Sequence, residues 1–297
     1  MVKVLDLIDA SSIALSEYVE LVKTTVDVSD PASIIESAGA LRALANDRSF
    51  ILNGFHSQIK SYWSPVPRKI DLARHSIMLA EEQEFYVRAN IWDPMRRDSE
   101  AAISAGQSYA YGLPHDHNFH FLSVGYFGCG YKTDLYSYDN SKVTGYVGEE
   151  VEIHNEGETQ LSPGRLLFYE ASRDIHVQHP PENPSISVNL MCRHPSVSKK
   201  QQFIFDTANS KITSGTGDTT SSGMSILEMT RYLYNDETVG LLIDIAKTHS
   251  CVRTRAYALS VIKDIRPSES DNLSRILDIN TITLSQKKIP TVRGISI

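Results

Sequence analysis

Two short histidine-bearing segments, about sixty residues apart, constrain this sequence most strongly. The first, Pro114-His115-Asp116-His117, has two imidazoles two residues apart, so on a β-strand both would project from the same face. The second supplies His176, which follows the turn signal Ser162-Pro163-Gly164 and the strand-like run 165–169. Three neutral imidazoles converging inside a small β-barrel would form a site for a divalent transition metal with open coordination positions.

The bulk properties of the chain exclude several function classes. The 297 residues are 41% hydrophobic and 22% charged, which predicts a soluble globular protein with one large domain or a core domain with helical additions. A net charge of −7 without a Lys/Arg stripe argues against nucleic-acid binding. No segment approaches the ~20 apolar residues of a membrane helix. The first residues lack a secretory signal, and the three cysteines are widely spaced, so we expect a cytoplasmic protein.

Hydrophobic periodicity divides the chain into four parts. We expect a helical segment over 1–83, a β-barrel over 84–206, a flexible Ser/Thr/Gly-rich linker over 207–223 and a second helical segment over 224–297. The predicted helices cover 12–26, a run that opens at the cap Ser29-Asp30-Pro31, and 48–62. In the tail, they cover a run capped by Asp236, the stretch 252–264, and a segment starting near Ser268 or Ser270.

Three further histidines near these segments have other possible roles. On a strand, His120 would face away from His115 and His117, which favours a supporting or outer position. His179 is a rival to His176 as the third ligand, although it directly precedes Pro180-Pro181 and so falls near a loop. His154 lies in a polar, turn-like stretch and is interpreted as a surface residue. His176 is the preferred third ligand because of its spacing from the Pro-Gly turn.

These segments resemble the two motifs of the cupins. Gly112, His115 and His117 match the first motif, and the second is matched by Pro163, Gly164 and His176. The resemblance implies a double-stranded β-helix, or jelly-roll, barrel flanked by N-terminal and C-terminal α-helices. The glutamate that usually completes the first motif is replaced by an apolar residue, Phe121 or Leu122. The remaining three-histidine set is similar to that of the thiol dioxygenases, such as cysteine dioxygenase.

The narrower resemblance also implies substrate-contacting residues. The stretch 86–90 resembles the family strand whose arginine holds the substrate carboxylate, which makes Arg88 a candidate anion clamp. The family has a Ser-His-Tyr relay on the strand after its third ligand; here the matching positions are Ser187, Asn189 and Met191. The cysteine that cross-links to the relay tyrosine has no counterpart. The candidate catalytic residues are therefore Arg88, Ser187 and Asn189.

The function implied is that of an Fe(II)-dependent oxygenase that uses O2 on a small thiol or amino-acid-like substrate. Two alternatives stay open. The same scaffold could hydroxylate or cleave a non-thiol substrate, or it could be a non-catalytic metal- or ligand-binding cupin that engages a partner through its helical tail. Arg193 is a further residue that could line the pocket. The sequence leaves open the metal actually bound, the substrate and whether the chain forms a homo-oligomer.

Overall fold

A computed structural model describes residues 2–8, 11–62, 72–73, 75–94, 110–143, 145–195, 200–215 and 219–286. These residues form two compact units. The first, the barrel unit, comprises Met1–Leu113, Phe119–Ser137 and His154–Val197, and the second, the helical unit, comprises Pro114–Asn118, Tyr138–Ile153 and Ser198–Ile297.

The described part of the chain contains strands β1 to β12. Their bounds are Lys3–Asp6, Leu72–Ala73, Ser76–Glu81, Phe85–Trp92, Phe121–Phe127, Lys132–Tyr138, Ile153–Gln160, Arg165–Tyr169, Asp174–Gln178, Ser185–Cys192, Phe203–Asp206 and Lys211–Gly215. Seven of them form one sheet in the order β1-β8-β5-β10-β4-β3-β2, and a three-stranded sheet has the order β7-β6-β9. The observed pairings within the large sheet are antiparallel. The chain thus has a β-sheet core with helical additions, and its antiparallel sheets fit the jelly-roll barrel that the sequence predicts.

The two faces of the large sheet have different surroundings because side chains alternate along each strand. One face packs on the N-terminal helices α1 (Leu15–Thr25), α2 (Pro31–Glu36), α3 (Ala38–Asn46) and α4 (Phe50–Tyr62). Their shared core includes Leu41 and Leu44 of α3 with Leu122, Leu166 and Val188 of the sheet. The other face has an aromatic-rich core that contains Trp92, Phe121, Tyr131, Tyr169 and Met191. We call this second face the inner face.

The N-terminal helices begin close to the predicted positions. Asp30 caps α2 by accepting a hydrogen bond from the backbone N–H of Ala32, with Pro31 at the first helical position. The run after this cap is not one helix, because it is divided at Ser37, whose hydroxyl donates to the carbonyl of Ile34. A hydroxyl that bonds its own backbone competes with helix continuation.

The helical unit contains helices α5 to α9, with bounds Thr219–Met229, Asp236–Thr248, Val252–Ile265, Pro267–Leu273 and Ile279–Ser285. Their core is built around α7, whose buried residues include Tyr257, Leu259 and Ile262. The predicted cap at Asp236 is wrong by one residue. Asn235 is the N-cap, because its side-chain oxygen accepts from the backbone N–H of Thr238 at 2.8 Å.

The segment 207–223, predicted as a flexible linker, contains regular structure. Lys211–Gly215 forms β12, which pairs with β11 in an antiparallel hairpin, and α5 begins at Thr219. Ser, Thr and Gly are poor guides to a short strand, since pairing with a partner strand outweighs their intrinsic preference. Residues 216–218 of the expected linker lie outside the described part of the chain.

Two simpler findings complete the fold. The three cysteines are free thiols, with Cys192 and Cys251 buried and Cys129 half-buried. Among the described residues, no helix combines the length and apolar character required to cross a bilayer.

Candidate metal centre

Three histidine side chains converge in the structure. His115, His117 and His176 each contribute one ring nitrogen to a group whose atoms all lie within 4.8 Å of one another. His115 and His176 are buried, with 8% and 1% of their surface exposed, and His117 is half-buried. No other group of three potential metal-binding side chains forms among the residues that the structure describes.

His115 and His117 do not lie on a regular strand, contrary to the sequence-based expectation. Their segment is irregular apart from an isolated bridge between His115 and Ile204 of β11, and β5 begins only at Phe121. Even so, the two imidazoles meet edge to face, with ring centroids 4.9 Å apart. The two rings therefore lie side by side, although the local backbone is not the β-strand that the sequence predicts.

His176 lies on β9, on the side of the strand that faces aromatic side chains. Its ring meets Tyr169 edge to face at a centroid distance of 4.8 Å and Phe121 at 5.8 Å. Phe121 and Tyr169 are stacked on each other, with centroids 4.3 Å apart and planes 8° from parallel. The sequence analysis places Phe121 or Leu122 where the cupin motif usually has a glutamate, and the ring of Phe121 lies near His176.

The remaining histidines near these strands have other partners. The backbone N–H of Ala171 donates to Nδ1 of His120 at 3.0 Å, and the His120 ring stacks on Phe168 of the helix-covered core. His179 forms a 2.9 Å contact with the Asp134 carboxylate. His154 is exposed, but on strand β7 and not in a turn. None of these three belongs to the histidine cluster.

Ser187 and Asn189 form a buried hydrogen-bond network on the inner face of β10. Trp92 Nε1 donates to the Ser187 hydroxyl at 3.0 Å, and that hydroxyl is 3.2 Å from Asn189 Oδ1. The Ser123 hydroxyl donates to the same Oδ1 at 2.7 Å, while Asn189 Nδ2 donates to the carbonyl of Arg88 at 3.3 Å. These contacts tie β4, β5 and β10 together, so both side chains already have partners within the protein.

Arg88 lies on the inner face of β4, directly opposite Asn189 in the strand register. Its guanidinium carbon lies 6.0 Å from the ring centroid of Tyr86, and its Nε atom is buried without a hydrogen-bond partner in the described part of the protein. A buried donor that lacks a partner is costly unless something else satisfies it. The charge also affects its neighbourhood: burial, together with Arg88, lowers the pKa of His75.

Two tyrosine hydroxyls on this face remain protonated at neutral pH. Burial raises the pKa of Tyr131 to about 12. Burial, together with the neighbouring Tyr131, raises the pKa of Tyr169 well above its usual value. In the interior both side chains can therefore act as hydrogen-bond donors.

The donor set is compatible with a divalent transition metal. Imidazole is a good ligand for iron, zinc, copper and nickel, and the cluster contains no carboxylate. Three neutral donors leave the full charge of the ion uncompensated and leave coordination positions for other ligands. His115, His117 and His176 would hold such an ion.

Sequence reasoning missed the side chains that hold the first two histidines. Asp116, Tyr138 and Gln202 make hydrogen bonds within or to the His115–His117 segment. The only sequence signal is an aspartate between two histidines, and nothing in the sequence indicates its partners, because they lie 22 or more residues away.

Fold and site together define a jelly-roll-type β-sheet core with a three-histidine cluster. No family model matches the chain, and neither does any curated protein. Among solved structures, the hydroquinone 1,2-dioxygenase from Sphingomonas sp. TTNP3, with 4-hydroxybenzoate bound, is 12% identical with a TM-score of 0.27. That match covers 41% of this chain and 66% of the dioxygenase chain, just under two thirds of its length.

Two further solved structures show the same level of similarity. The DMSP lyase DddQ from Ruegeria pomeroyi is 12% identical, with 64% of this chain and 77% of the lyase covered and a TM-score of 0.23. A sugar phosphate isomerase of the cupin superfamily from Silicibacter pomeroyi is 14% identical, with 50% and 83% covered and a TM-score of 0.24. TM-scores of this size support no inference about the activity of this chain.

Proposed function

We propose that this protein is a mononuclear non-haem Fe(II) oxygenase that uses O2 on a small thiol or amino-acid-like acid. The observation that carries the proposal is the convergence of His115, His117 and His176 within 4.8 Å in a set without a carboxylate. When bound there, Fe(II) would supply open coordination positions at which a substrate donor and O2 can meet. Among the described residues, the three histidines of the cluster would serve as its protein ligands.

Arg88 is proposed to bind an acidic group of the substrate. Its guanidinium is on the inner face, its Nε lacks a partner, and no carboxylate pairs with it among the described residues. A guanidinium offers a planar fork of donors that matches a carboxylate. We therefore expect it to orient an acidic substrate in the interior.

Aromatic side chains are proposed to shield the reacting groups from water. Phe121 and Tyr169 lie against His176, and both are buried. A low-dielectric wall strengthens the attraction between Arg88 and an anion.

Ser187 and Asn189 are proposed as positioning residues. Their polar groups already form hydrogen bonds within the protein, and these bonds would keep β4 and β10 in register next to Arg88.

For a thiol, the proposed overall reaction is R–SH + O2 → R–SO2H. Sulfur is oxidised, O2 is reduced, and both oxygen atoms enter the product, so no external reductant is needed. A matched pair of substrates tests the proposal: cysteine and cysteamine differ by one carboxylate. With Fe(II) added anaerobically, we expect substrate-dependent O2 uptake and a sulfinate product, with cysteine preferred.

The matched control for Arg88 is Arg193. Its guanidinium lies 5.4 Å from the same Tyr86 ring, but it pairs with Glu81 at 3.1 Å. Arg88→Ala should remove the preference for the acidic thiol, whereas Arg193→Ala should keep it. Equal O2 uptake with and without any substrate would contradict the proposed requirement for substrate.

A second candidate is oxidative cleavage of a non-thiol substrate on the same scaffold. Met191 favours it, because this buried apolar side chain lies on the inner face at the position expected for a relay tyrosine. The aromatic wall of Phe121 and Tyr169 would also accommodate an apolar substrate body. O2 uptake with non-thiol acids, and no sulfinate from any thiol, would favour this second function over the first.

A further inference from the structure

We propose that β11 positions the candidate metal ligands His115 and His117, and that Gln202, which directly precedes this strand, fixes the ring tautomer of His117. This inference rests on the proposed metal site and extends it to residues that never touch the ion. The relevant contacts all lie within the helical unit, between the segment 114–118 and the start of the β11–β12 hairpin.

The contact between Gln202 and His117 determines the tautomer. Gln202 Oε1 lies 3.0 Å from His117 Nδ1. An amide oxygen can only accept a hydrogen bond, so Nδ1 must carry the proton. The neutral ring then has its lone pair on Nε2, the nitrogen that would bind a metal. A hydrogen bond to the non-ligating nitrogen is the usual device that orients a metal-binding histidine.

Backbone hydrogen bonds hold the same segment along β11. The N–H of Asp116 donates to the carbonyl of Phe203 at 3.2 Å, and the N–H of Phe205 donates to the carbonyl of Pro114 at 2.9 Å. His115 forms a bridge with Ile204 between these two bonds. The backbone that carries two of the three candidate ligands is therefore aligned by a strand almost ninety residues further along the chain.

The Asp116 side chain completes the attachment. It is fully buried, its Oδ1 accepts from the backbone N–H of Phe203 at 2.6 Å, and its Oδ2 accepts from the Tyr138 hydroxyl at 2.7 Å. Asn140 Nδ2 donates in turn to the Tyr138 oxygen at 3.0 Å. The two histidines on either side of this anchored aspartate have rings that meet edge to face.

Gln202 is thus a positioning residue, and its effect should appear in metal affinity without any assay of activity. The probe is Co(II), titrated anaerobically into the metal-free protein and followed by its visible absorption. Gln202→Leu should weaken Co(II) binding by about 10–100-fold, the usual effect of losing such a hydrogen bond. Gln202→Glu should bind near the wild-type level, since a carboxylate also accepts from Nδ1–H.

The control variant is Asn209→Ala in the turn of the same hairpin. This change removes a 2.7 Å hydrogen bond to Asp206 but touches neither histidine. Co(II) affinity should stay at the wild-type value. Nitrogen-15 chemical shifts of His117 in the metal-free protein give a second readout: wild type should show Nδ1–H, and Gln202→Leu should lose that fixed tautomer.

The outcomes distinguish the proposed metal site from the proposed role of Gln202. If wild type and His176→Ala bind Co(II) equally, the proposed metal site is wrong. The role of Gln202 is then tested only by the His117 tautomer, which the nitrogen-15 chemical shifts report. Wild-type affinity and tautomer in Gln202→Leu would overturn the inference. Equal weakening by Gln202→Glu and Gln202→Leu would also overturn it, because the amide would then be donating to the ring.

Discussion

The hydrogen bond between Tyr138 and Asp116 offers the sharpest test of how the metal-binding segment is held. The Tyr138 hydroxyl donates to Asp116 Oδ2 at 2.7 Å, and only 3% of Tyr138 and none of Asp116 is exposed. Tyr138→Phe removes one oxygen atom and with it the hydrogen bond that Tyr138 donates to that carboxylate oxygen. The change creates almost no cavity, so the result reports mainly on the hydrogen bond.

The expected magnitude follows from burial and charge. A hydrogen bond to an ionised group contributes about 1.5–3 kcal/mol to stability, more than a neutral one. The Tyr138 oxygen also accepts from Asn140 Nδ2, and that bond is lost as well. We therefore expect Tyr138→Phe to lower the free energy of unfolding by about 2–3 kcal/mol. Urea unfolding followed by circular dichroism measures it.

A double-mutant cycle with Asp116→Asn isolates the pair. Both carboxylate oxygens of Asp116 accept hydrogen bonds, from the Phe203 N–H and from the Tyr138 hydroxyl. An asparagine side chain has only one acceptor oxygen, so it cannot accept from both donors in this arrangement. Tyr138→Phe should therefore destabilise the Asp116→Asn protein less than it destabilises wild type. The expected coupling is about 1–3 kcal/mol, within the range for residues in one network.

Tyr136→Phe is the matched control on the same strand. Its side chain is half-buried, and its hydroxyl makes no hydrogen bond within the described part of the protein. This change should alter stability by less than about 0.5 kcal/mol. A coupling between Tyr138 and Asp116 below about 0.5 kcal/mol would refute the reasoning, since it is the value expected for independent sites.

Further predictions concern stability, pH and substrate binding. Gly125→Ala should destabilise by about 1–3 kcal/mol in urea unfolding, because a Cβ there would lie 2.2 Å from the carbonyl oxygen of Ser162. Gly240→Ala, in an open position of α6, should stabilise by about 0.5–1 kcal/mol. Burial and Asp116 raise the pKa of Tyr138 in the folded protein well above its usual value of 10. The stability that this shift contributes is full below pH 10 and declines as the pH rises towards the folded pKa. Tyr138→Phe should flatten that decline in urea unfolding measured across this pH range. If Arg88 forms a bidentate pair with the substrate, Arg88→Lys should raise the half-saturating concentration of an acidic substrate about tenfold in O2-uptake assays, equivalent to about 1.4 kcal/mol. An unchanged half-saturating concentration would exclude a bidentate contact between Arg88 and the substrate.

The barrel could be predicted from sequence because its strands carry strong local signals. The run Arg165–Tyr169 is the strand β8, and it follows the turn at Gly164, whose φ of +88° suits glycine. His176 falls on the next strand, where its spacing from that turn indicates. Each of these features depends on residues that are close together in the chain.

The support of the first two histidines could not be predicted in the same way. The segment His115–His117 has the alternation of a strand, but its main hydrogen-bond partners are the backbone of β11 and the Tyr138 hydroxyl. Long-range contacts of this kind have no local sequence signature, and they override the local preference. The β12 strand escaped prediction for the same reason, since its Ser- and Thr-containing sequence is ordered by pairing with β11.

Ser187 and Asn189 show the limit of a motif match. Their positions on β10 follow from the family resemblance, whereas the partners that occupy their polar groups, Trp92 and Ser123, are visible only in the structure. Arg88 differs from them, because its guanidinium still has donor capacity in the interior. A sequence cannot distinguish a satisfied polar side chain from one that awaits a ligand.

Metal content tests the central claim most directly. The protein and its His176→Ala variant would be purified in parallel, loaded anaerobically with Fe(II), desalted and analysed for iron. The three-histidine site predicts about one iron per chain in wild type and loss of it in the variant, with the fold retained by circular dichroism. Equal iron in both proteins, or none in a folded wild type, would contradict the account.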